Sequence, residues 1–295
     1  MGVPTASGRS RPALACGKTA GMLAARGIKR GDRVAVMAGN SDAHVRLLFA
    51  LARLGAIMVP VNPEYGVDEA RYVLNHAGVS AVAVSDATLA VARTATADMN
   101  PAPWFMRVLG EDASVPSLDA LVAESNAVVP PHVGQADDTV VIIYTSGTTG
   151  FPKGAISTHR AISNALMAFA SGAYVNAARR DAGDVEGSGL PACFILIVPL
   201  FHVTGCIPVM LSSFTWHFKL VMMYRWDPER ALQLIERHKV TNFVGVPTQS
   251  WDMLENPNFS KYDTSSLSSV GGGGAPAPPK LVARVESSFK RGRPS

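Results

Sequence analysis

Residues 144–155 read Tyr-Thr-Ser-Gly-Thr-Thr-Gly-Phe-Pro-Lys-Gly-Ala, directly after the apolar run Val-Val-Ile-Ile at 140–143. A β-branched run bounded by turn residues reads as a buried strand. The glycines that follow, Gly147 and Gly150, let backbone N–H groups approach an anion with no Cβ in the way. Thr145, Ser146, Thr148 and Thr149 add hydroxyl donors, and Lys153 adds a point charge suited to phosphate. A strand running into such a loop describes a polyphosphate cradle. It is not a Walker loop, which needs G-x-x-x-x-G-K-[ST], because Phe151 and Pro152 separate Gly150 from Lys153. The competing structural reading is a Gly/Thr surface loop.

Outward from this loop, strand-like and helix-like segments alternate. Val34–Met37 precedes the helix-periodic Ala43–Leu54; Ile57–Val61 precedes Asp68–His76, and Val79–Val84 follows. Beyond the loop, Leu196–Val198, Lys219–Met223 and Asn242–Val246 read as strands separated by helical segments. Of these segments Pro228–His238 is the best marked, with Asp227 as N-cap and proline in the first helical position. The alternation predicts an α/β fold of parallel sheets with helices on both faces. Residues 95–138, rich in Ala, Pro, Asp and Ser, read as a surface crossing between two sheets, and 177–191 as an exposed loop.

Composition narrows the function. With 295 residues, 47% hydrophobic and 17% charged, the chain can bury the core of one large or two medium domains. The net charge of +4 is spread out, and no Lys/Arg cluster is interleaved with aromatics, which argues against a nucleic-acid partner. Three cysteines, Cys16, Cys193 and Cys206, at unrelated spacings fit a reduced, cytoplasmic protein. Cys193, His202 and Cys206 lack a fourth ligand at zinc-site spacing and read as buried thiols and a polar pocket residue. The N-terminus lacks a signal-peptide apolar region, and Ala6 stands where myristoylation needs Ser or Thr. Phe194–Leu211 is apolar but interrupted by Pro199, His202, Gly205 and Pro208, so it reads as strand, turn and helix. No transmembrane segment is expected, which leaves room for peripheral membrane contact.

The segment from Ile142 to Lys153 resembles the signature of the adenylate-forming superfamily, which includes acyl-CoA synthetases, luciferases and peptide-synthetase adenylation domains. Residues 27–36 (GIKRGDRVAV), 54–63 (LGAIMVPVNP), 199–205 (PLFHVTG) and 273–279 (GGAPAPP) resemble further motifs in the expected order. The likeness runs from about Ala15 to Lys290. It implies an AMP-forming ligase, similar to fatty-acid–CoA ligases, that couples a carboxylic acid to coenzyme A at the expense of ATP with Mg2+. Peptide-synthetase domains normally carry an aspartate in the motif at 199–205; none is present, which favours an unsubstituted acid.

The resemblance also implies roles. Thr145, Ser146, Gly147, Thr148, Thr149, Gly150 and Lys153 would hold the β- and γ-phosphates, with Lys153 following the charge onto pyrophosphate and Thr145 reaching the metal. His202 would line the carboxylate pocket, the alternative being a structural histidine packed in a turn. Gly274, Ala275 and Pro276 would lie against adenine. Gly271, Gly272 and Gly273 would border the acyl tunnel, with Phe243 and Val246 as a further wall, unless those two are simply core. Residues 1–14 read as a disordered tail and 15–295 as an incomplete large N-terminal domain. The family's Tyr-Gly-x-Thr-Glu motif, ribose-binding aspartate and small C-terminal lid domain with its lysine are not found, and Trp216-His217-Phe218 stands at a usually glycine-rich place. The expectation is therefore a fragment of a ligase with weak or no activity, or a non-catalytic nucleotide-binding or interaction protein derived from one.

Overall fold

The computed structural model describes residues 10–145, 151–181, 189–272, 278–288 and 293–294. The chain divides into two compact units, Met1–Ala161 and Ile162–Ser295.

In the first unit, short β-branched runs form the centre of a sheet. β1 (Arg33–Met37) pairs in parallel with β2 (Ile57–Pro60) and β3 (Ala81–Ser85). β4 (Trp104–Leu109) joins β3 and β5 (Thr139–Thr145) joins β2, both in parallel, and β6 (Lys153–Thr158) closes the edge antiparallel to β5. The six strands run β4-β3-β1-β2-β5-β6. Alternate side chains go to opposite faces. Ala35, Met37, Val59, Val82 and Val84 pack against Val73 and Leu74 of α3 (Val67–Ala77) and Leu89 and Ala92 of α4 (Asp86–Ala95). On the other face α2 (Asp42–Leu54) lies along β2 and β5, with α1 (Ser10–Ala25) beside it. The sheet is buried on both sides, as its unbroken apolar runs require.

Helix ends follow local chemistry. The Ser41 hydroxyl accepts from His44 N–H at 3.2 Å to open α2, and Gly55, at φ 66°, closes it in the left-handed conformation.

Among the described residues the second unit holds five strands, β7 (Cys193–Leu196), β8 (Lys219–Met222), β9 (Asn242–Gly245), β10 (Ser269–Gly272) and β11 (Arg293–Pro294), in the order β11-β10-β9-β7-β8. All their pairings are parallel. One face packs on α8 (Pro228–His238), α9 (Pro247–Leu254) and α10 (Pro279–Ser288) through Leu232, Ile235, Met253, Leu281 and Val285. α8 begins as its sequence indicates: Asp227 Oδ1 accepts from Arg230 N–H at 2.7 Å, with Pro228 next in the chain.

The structure departs from the sequence-based reading in five places. The stretch 95–138 contains β4 and α5 (Leu118–Glu124). β4 is an edge strand with only Met106 fully buried, and Pro101 and Pro103 precede it, so it lacks the apolar run that marks a central strand. β6 is antiparallel because a connection as short as 146–152 can join only antiparallel neighbours. α6 (His159–Asp181) runs into the segment read as a loop, whose residues 182–188 lie outside the described ones. The strand expected at Leu196–Val198 is β7, ending at Leu196; Ile197 and Val198 are buried in the turn after it, so burial there does not reflect pairing. α1 begins at Ser10, inside the stretch 1–14 read as a tail.

Candidate functional site

At the end of β5 the register sets Thr145 opposite Lys153 and Tyr144 opposite Gly154. Cross-strand partners project to the same face, so the Thr145 hydroxyl and the Lys153 ammonium rise side by side from the base of a hairpin. Both residues are exposed. Ser146, Gly147, Thr148, Thr149 and Gly150 lie outside the described residues. β5 is parallel to its neighbour β2, so this hairpin base sits at the carboxyl edge of the sheet, where open α/β folds bind ligands.

Aromatic rings surround that base. The Tyr144 ring leans over Gly154: a Cβ added there would come within 3.2 Å of Tyr144 Cζ and 2.8 Å of Ile142 Cγ2. The ring reaches α3, where Tyr144 Oη and His76 Nδ1 share a hydrogen bond of 2.7 Å. Burial among these rings raises the Tyr144 pKa, with Tyr72 adding to the effect, so the phenol stays protonated. Tyr72, His76 and Phe151 continue the cluster. None of these was singled out from the sequence; the only signal was the four-residue spacing of Tyr72 and His76 on a helix.

In the second unit the strand order places β9 on one side of β7 and β8 on the other, so the chain changes direction at the carboxyl end of β7. The 199–205 turn lies there. His202 N–H donates to the Pro199 carbonyl at 3.0 Å, and Cys206 N–H donates to the His202 carbonyl at 3.1 Å. Gly205 makes this turn close: an added Cβ would stand 2.6 Å from the Pro199 carbonyl oxygen and 2.8 Å from that of Val198. A π-helical segment, Gly205–Leu211, follows. The His202 side chain is exposed, with its ring 4.6 Å from that of Phe201. Desolvation by its neighbours lowers its pKa, which favours the neutral imidazole at pH 7. Burial pushes the Cys206 thiol up to about 12, leaving it unreactive.

The other sequence-selected residues of this unit fall on adjacent strands. Val246 is half-buried just past β9, its N–H held by Gln249 Oε1 at 2.9 Å. Gly271 and Gly272 are the last residues of β10, paired with Val244 and Gly245. Since β7, β9 and β10 are parallel neighbours, His202, Val246 and Gly271–Gly272 share one carboxyl edge. Phe243 is 0% exposed and packed in the helix-covered core, edge-on to Trp226 at 6.2 Å. Gly273, Gly274, Ala275 and Pro276 lie outside the described residues. Among the described residues no group of three or more His, Cys, Asp or Glu side chains could hold a metal ion, and no helix is long and apolar enough to cross a membrane.

A family model for AMP-binding enzymes matches residues 13–294. The chain belongs to this family. AMP-binding relatives include a long-chain-fatty-acid–CoA ligase of Bacillus subtilis, 29% identical over 296 residues, covering 91% of this chain and 51% of that protein. The long-chain-fatty-acid–CoA ligase FadD13 of Mycobacterium tuberculosis is 30% identical over 265 residues, covering 90% of this chain and 49% of that protein. Among solved structures, the inhibitor-bound N-terminal domain of FACL13 from M. tuberculosis superposes with a TM-score of 0.81 at 26% identity, covering 97% of this chain and 67% of that one. This AMP-binding chain thus spans about half the length of the curated relatives it matches. Its mixed α/β architecture of parallel sheets and helices is that of the N-terminal domains of acyl-CoA synthetases.

Proposed function

We propose that the chain carries the nucleotide- and acid-binding part of an AMP-forming acid–CoA ligase acting on a fatty or other organic acid. The observation that carries this reading is the pair Thr145 and Lys153, exposed side by side at the carboxyl edge of a parallel sheet in an AMP-binding chain.

The reaction has two halves. A carboxylate oxygen attacks the α-phosphorus of ATP, the bond to the β-phosphate oxygen breaks, and pyrophosphate leaves. The sulfur of coenzyme A then attacks the acyl carbon and displaces AMP. The first half brings anions together, so fixed positive charge and donors lower its barrier. Lys153 supplies charge at the β- and γ-phosphates as negative charge collects on the leaving pyrophosphate. Mg2+ suits this place: it binds through phosphate oxygens with few protein ligands, and the exposed Thr145 hydroxyl is a hard oxygen donor. When bound, the ion would neutralise phosphate charge. Ser146, Gly147, Thr148, Thr149 and Gly150 complete the phosphate contacts in this proposal, and Gly274, Ala275 and Pro276 those to adenine. In the second unit neutral His202 faces the acid, with Val246 and Gly271–Gly273 along the acyl chain. The proposal sets the activity in the cytoplasm, with the acid drawn from solution or a membrane surface.

The chain spans about half the length of its ligase relatives, so its own testable share is holding nucleotide and acid. A second reading of the same cradle is nucleotide binding without turnover. Titration with ATP and Mg2+ tests the first step. Lys153→Ala should weaken ATP about tenfold to a hundredfold, the worth of a charge-assisted phosphate contact. Unchanged affinity overturns the cradle. Acid-dependent ATP–pyrophosphate exchange then separates the readings: exchange supports the ligase, and binding without exchange supports the second.

A further inference from the structure

The two ends of the phosphate loop are tied to one helix by rings. Tyr72 and His76 stand a turn apart on α3, with centroids 5.4 Å apart and planes at 19°. Phe151, two positions before Lys153, stacks on Tyr72 at 4.8 Å and 19°. Tyr144, adjacent to Thr145, meets His76 edge-on at 5.8 Å and 86° and is hydrogen-bonded to it. The ladder therefore runs Phe151–Tyr72–His76–Tyr144, beginning on one side of the loop and ending on the other.

Tyr72 and Tyr144 also pack against the core of the sheet, but core packing does not account for the outer end of the ladder. Phe151 is 71% exposed, so its ring gains little from leaving water. What it gains is a defined orientation, because offset-stacked and edge-to-face rings hold specific geometries. The residue opposite Tyr144 is Gly154, and a side chain there would crowd the Tyr144 ring. Helix α3 is itself fixed by Val73 and Leu74, both 0% exposed in the core of the sheet. The ladder thus refers both flanks of the loop to a rigid element.

We propose that Tyr72, His76, Tyr144 and Phe151 are positioning residues that pre-organise Thr145 and Lys153 for the β- and γ-phosphates of a nucleoside triphosphate. The proposal rests on the cradle reading above and adds a set of residues outside the cradle that sets its affinity. A pre-organised site loses less conformational freedom on binding, so loosening the ladder weakens the ligand that uses the loop and spares one that does not.

AMP lacks the β- and γ-phosphates and provides that contrast. The affinities of the chain for ATP and for AMP, each with Mg2+, are measured for wild type, Lys153→Ala, Phe151→Leu, Phe151→Tyr and Tyr144→Phe, with a melting curve for each. Phe151→Leu keeps apolar bulk but removes the ring; it should weaken ATP about threefold to tenfold, leave AMP unchanged and melt as wild type does. Phe151→Tyr should restore the ATP affinity. Tyr144→Phe, which loses the bond to His76, should change ATP in the same sense as Phe151→Leu. If Lys153→Ala weakens ATP while Phe151→Leu and Tyr144→Phe bind like wild type, the ladder is overturned and the cradle stands. Equal losses for ATP and AMP in Phe151→Leu, or failure of Phe151→Tyr to rescue, also overturn it. If wild type does not prefer ATP to AMP, or Lys153→Ala leaves that preference intact, the cradle reading falls and the inference falls with it.

Discussion

Two sheet edges carry the candidate chemistry, and they are built in opposite ways. At the end of β5, side chains do the shaping: rings of Phe151, Tyr72, His76 and Tyr144 flank the hairpin. At the ends of β7 and β9 it is the lack of side chains that shapes the edge, at Gly205 and Gly245. The difference separates exchangeable contacts from fixed ones. A ring can be replaced by another ring. A glycine whose missing Cβ would strike a backbone carbonyl has no substitute, since the carbonyl cannot rotate away without breaking the turn.

The largest effect falls on Phe243, the aromatic counterpart of Phe151 in the second unit. Its ring is 0% exposed among Ile195, Leu232, Ile235 and Val270. Phe243→Ala should cost about 3–5 kcal/mol in urea unfolding, as deleting a core ring does. A loss below about 1 kcal/mol would move Phe243 out of the core and onto a ligand-facing wall. Next comes Gly205→Ala, whose Cβ would stand 2.6 Å from the Pro199 carbonyl oxygen. Overpacking of that kind costs about 1–3 kcal/mol, and the same unfolding experiment reads it. Wild-type stability in this variant would break the contrast between the edges.

What was legible in advance follows the same division. The central strands and α8 could be read because an unbroken apolar run, or an aspartate before a proline, states its own purpose locally. Gly205 could be read as part of a motif, yet only the fold shows why it must be glycine: Val198 and Pro199 turn their carbonyls onto it. β4 and β6 were missed because edge strands are half wet and carry no clean alternation. The ring ladder was invisible for a different reason. Its members come from α3, β5 and the loop, and 68 residues separate His76 from Tyr144. No local pattern encodes such a pair. Phe243 was ambiguous because β9 alternates buried and half-buried residues, and one-dimensional reading does not say which face meets helices.

A pH titration sharpens the comparison between the units. His44, on α2 in the first unit, is 1% exposed, and its Nδ1 has no hydrogen-bond partner among the described residues. Desolvation lowers its pKa from 6.5 to about 3. The unfolded chain therefore takes up the proton first, between pH 6.5 and about 3. Stability is fully present above that window and falls by up to about 1.4 kcal/mol for each unit of acidification within it. His159 shifts in the same sense, through burial and then the nearby His132. Unfolding free energies from urea titrations at pH 7.5 and pH 5.5 should differ for wild type by up to about 1.4 kcal/mol from this group and draw closer in His44→Leu. An unchanged separation in the variant would assign the acid sensitivity elsewhere.

The smallest effect on stability discriminates best, because it compares glycine with glycine. A Cβ at Gly154 would meet Ile142 Cγ2 at 2.8 Å and Tyr144 Cζ at 3.2 Å, side-chain atoms in both cases. Where the neighbours of Gly205 are carbonyls, those of Gly154 can yield by small torsional shifts. Alanine also lowers the entropy of the unfolded chain, and glycine within a strand forgoes about 0.5–1 kcal/mol relative to it. The two contributions oppose each other, so Gly154→Ala should stay within about 0.5 kcal/mol of wild type in thermal unfolding. The displaced Tyr144 ring should nevertheless register in function, since moving it stretches the 2.7 Å bond to His76 beside Thr145. ATP affinity should then fall while the melting temperature holds. If Gly154→Ala instead costs about 1–3 kcal/mol, as Gly205→Ala is expected to, the first edge is no more forgiving than the second, and the distinction between ring-built and glycine-built edges fails.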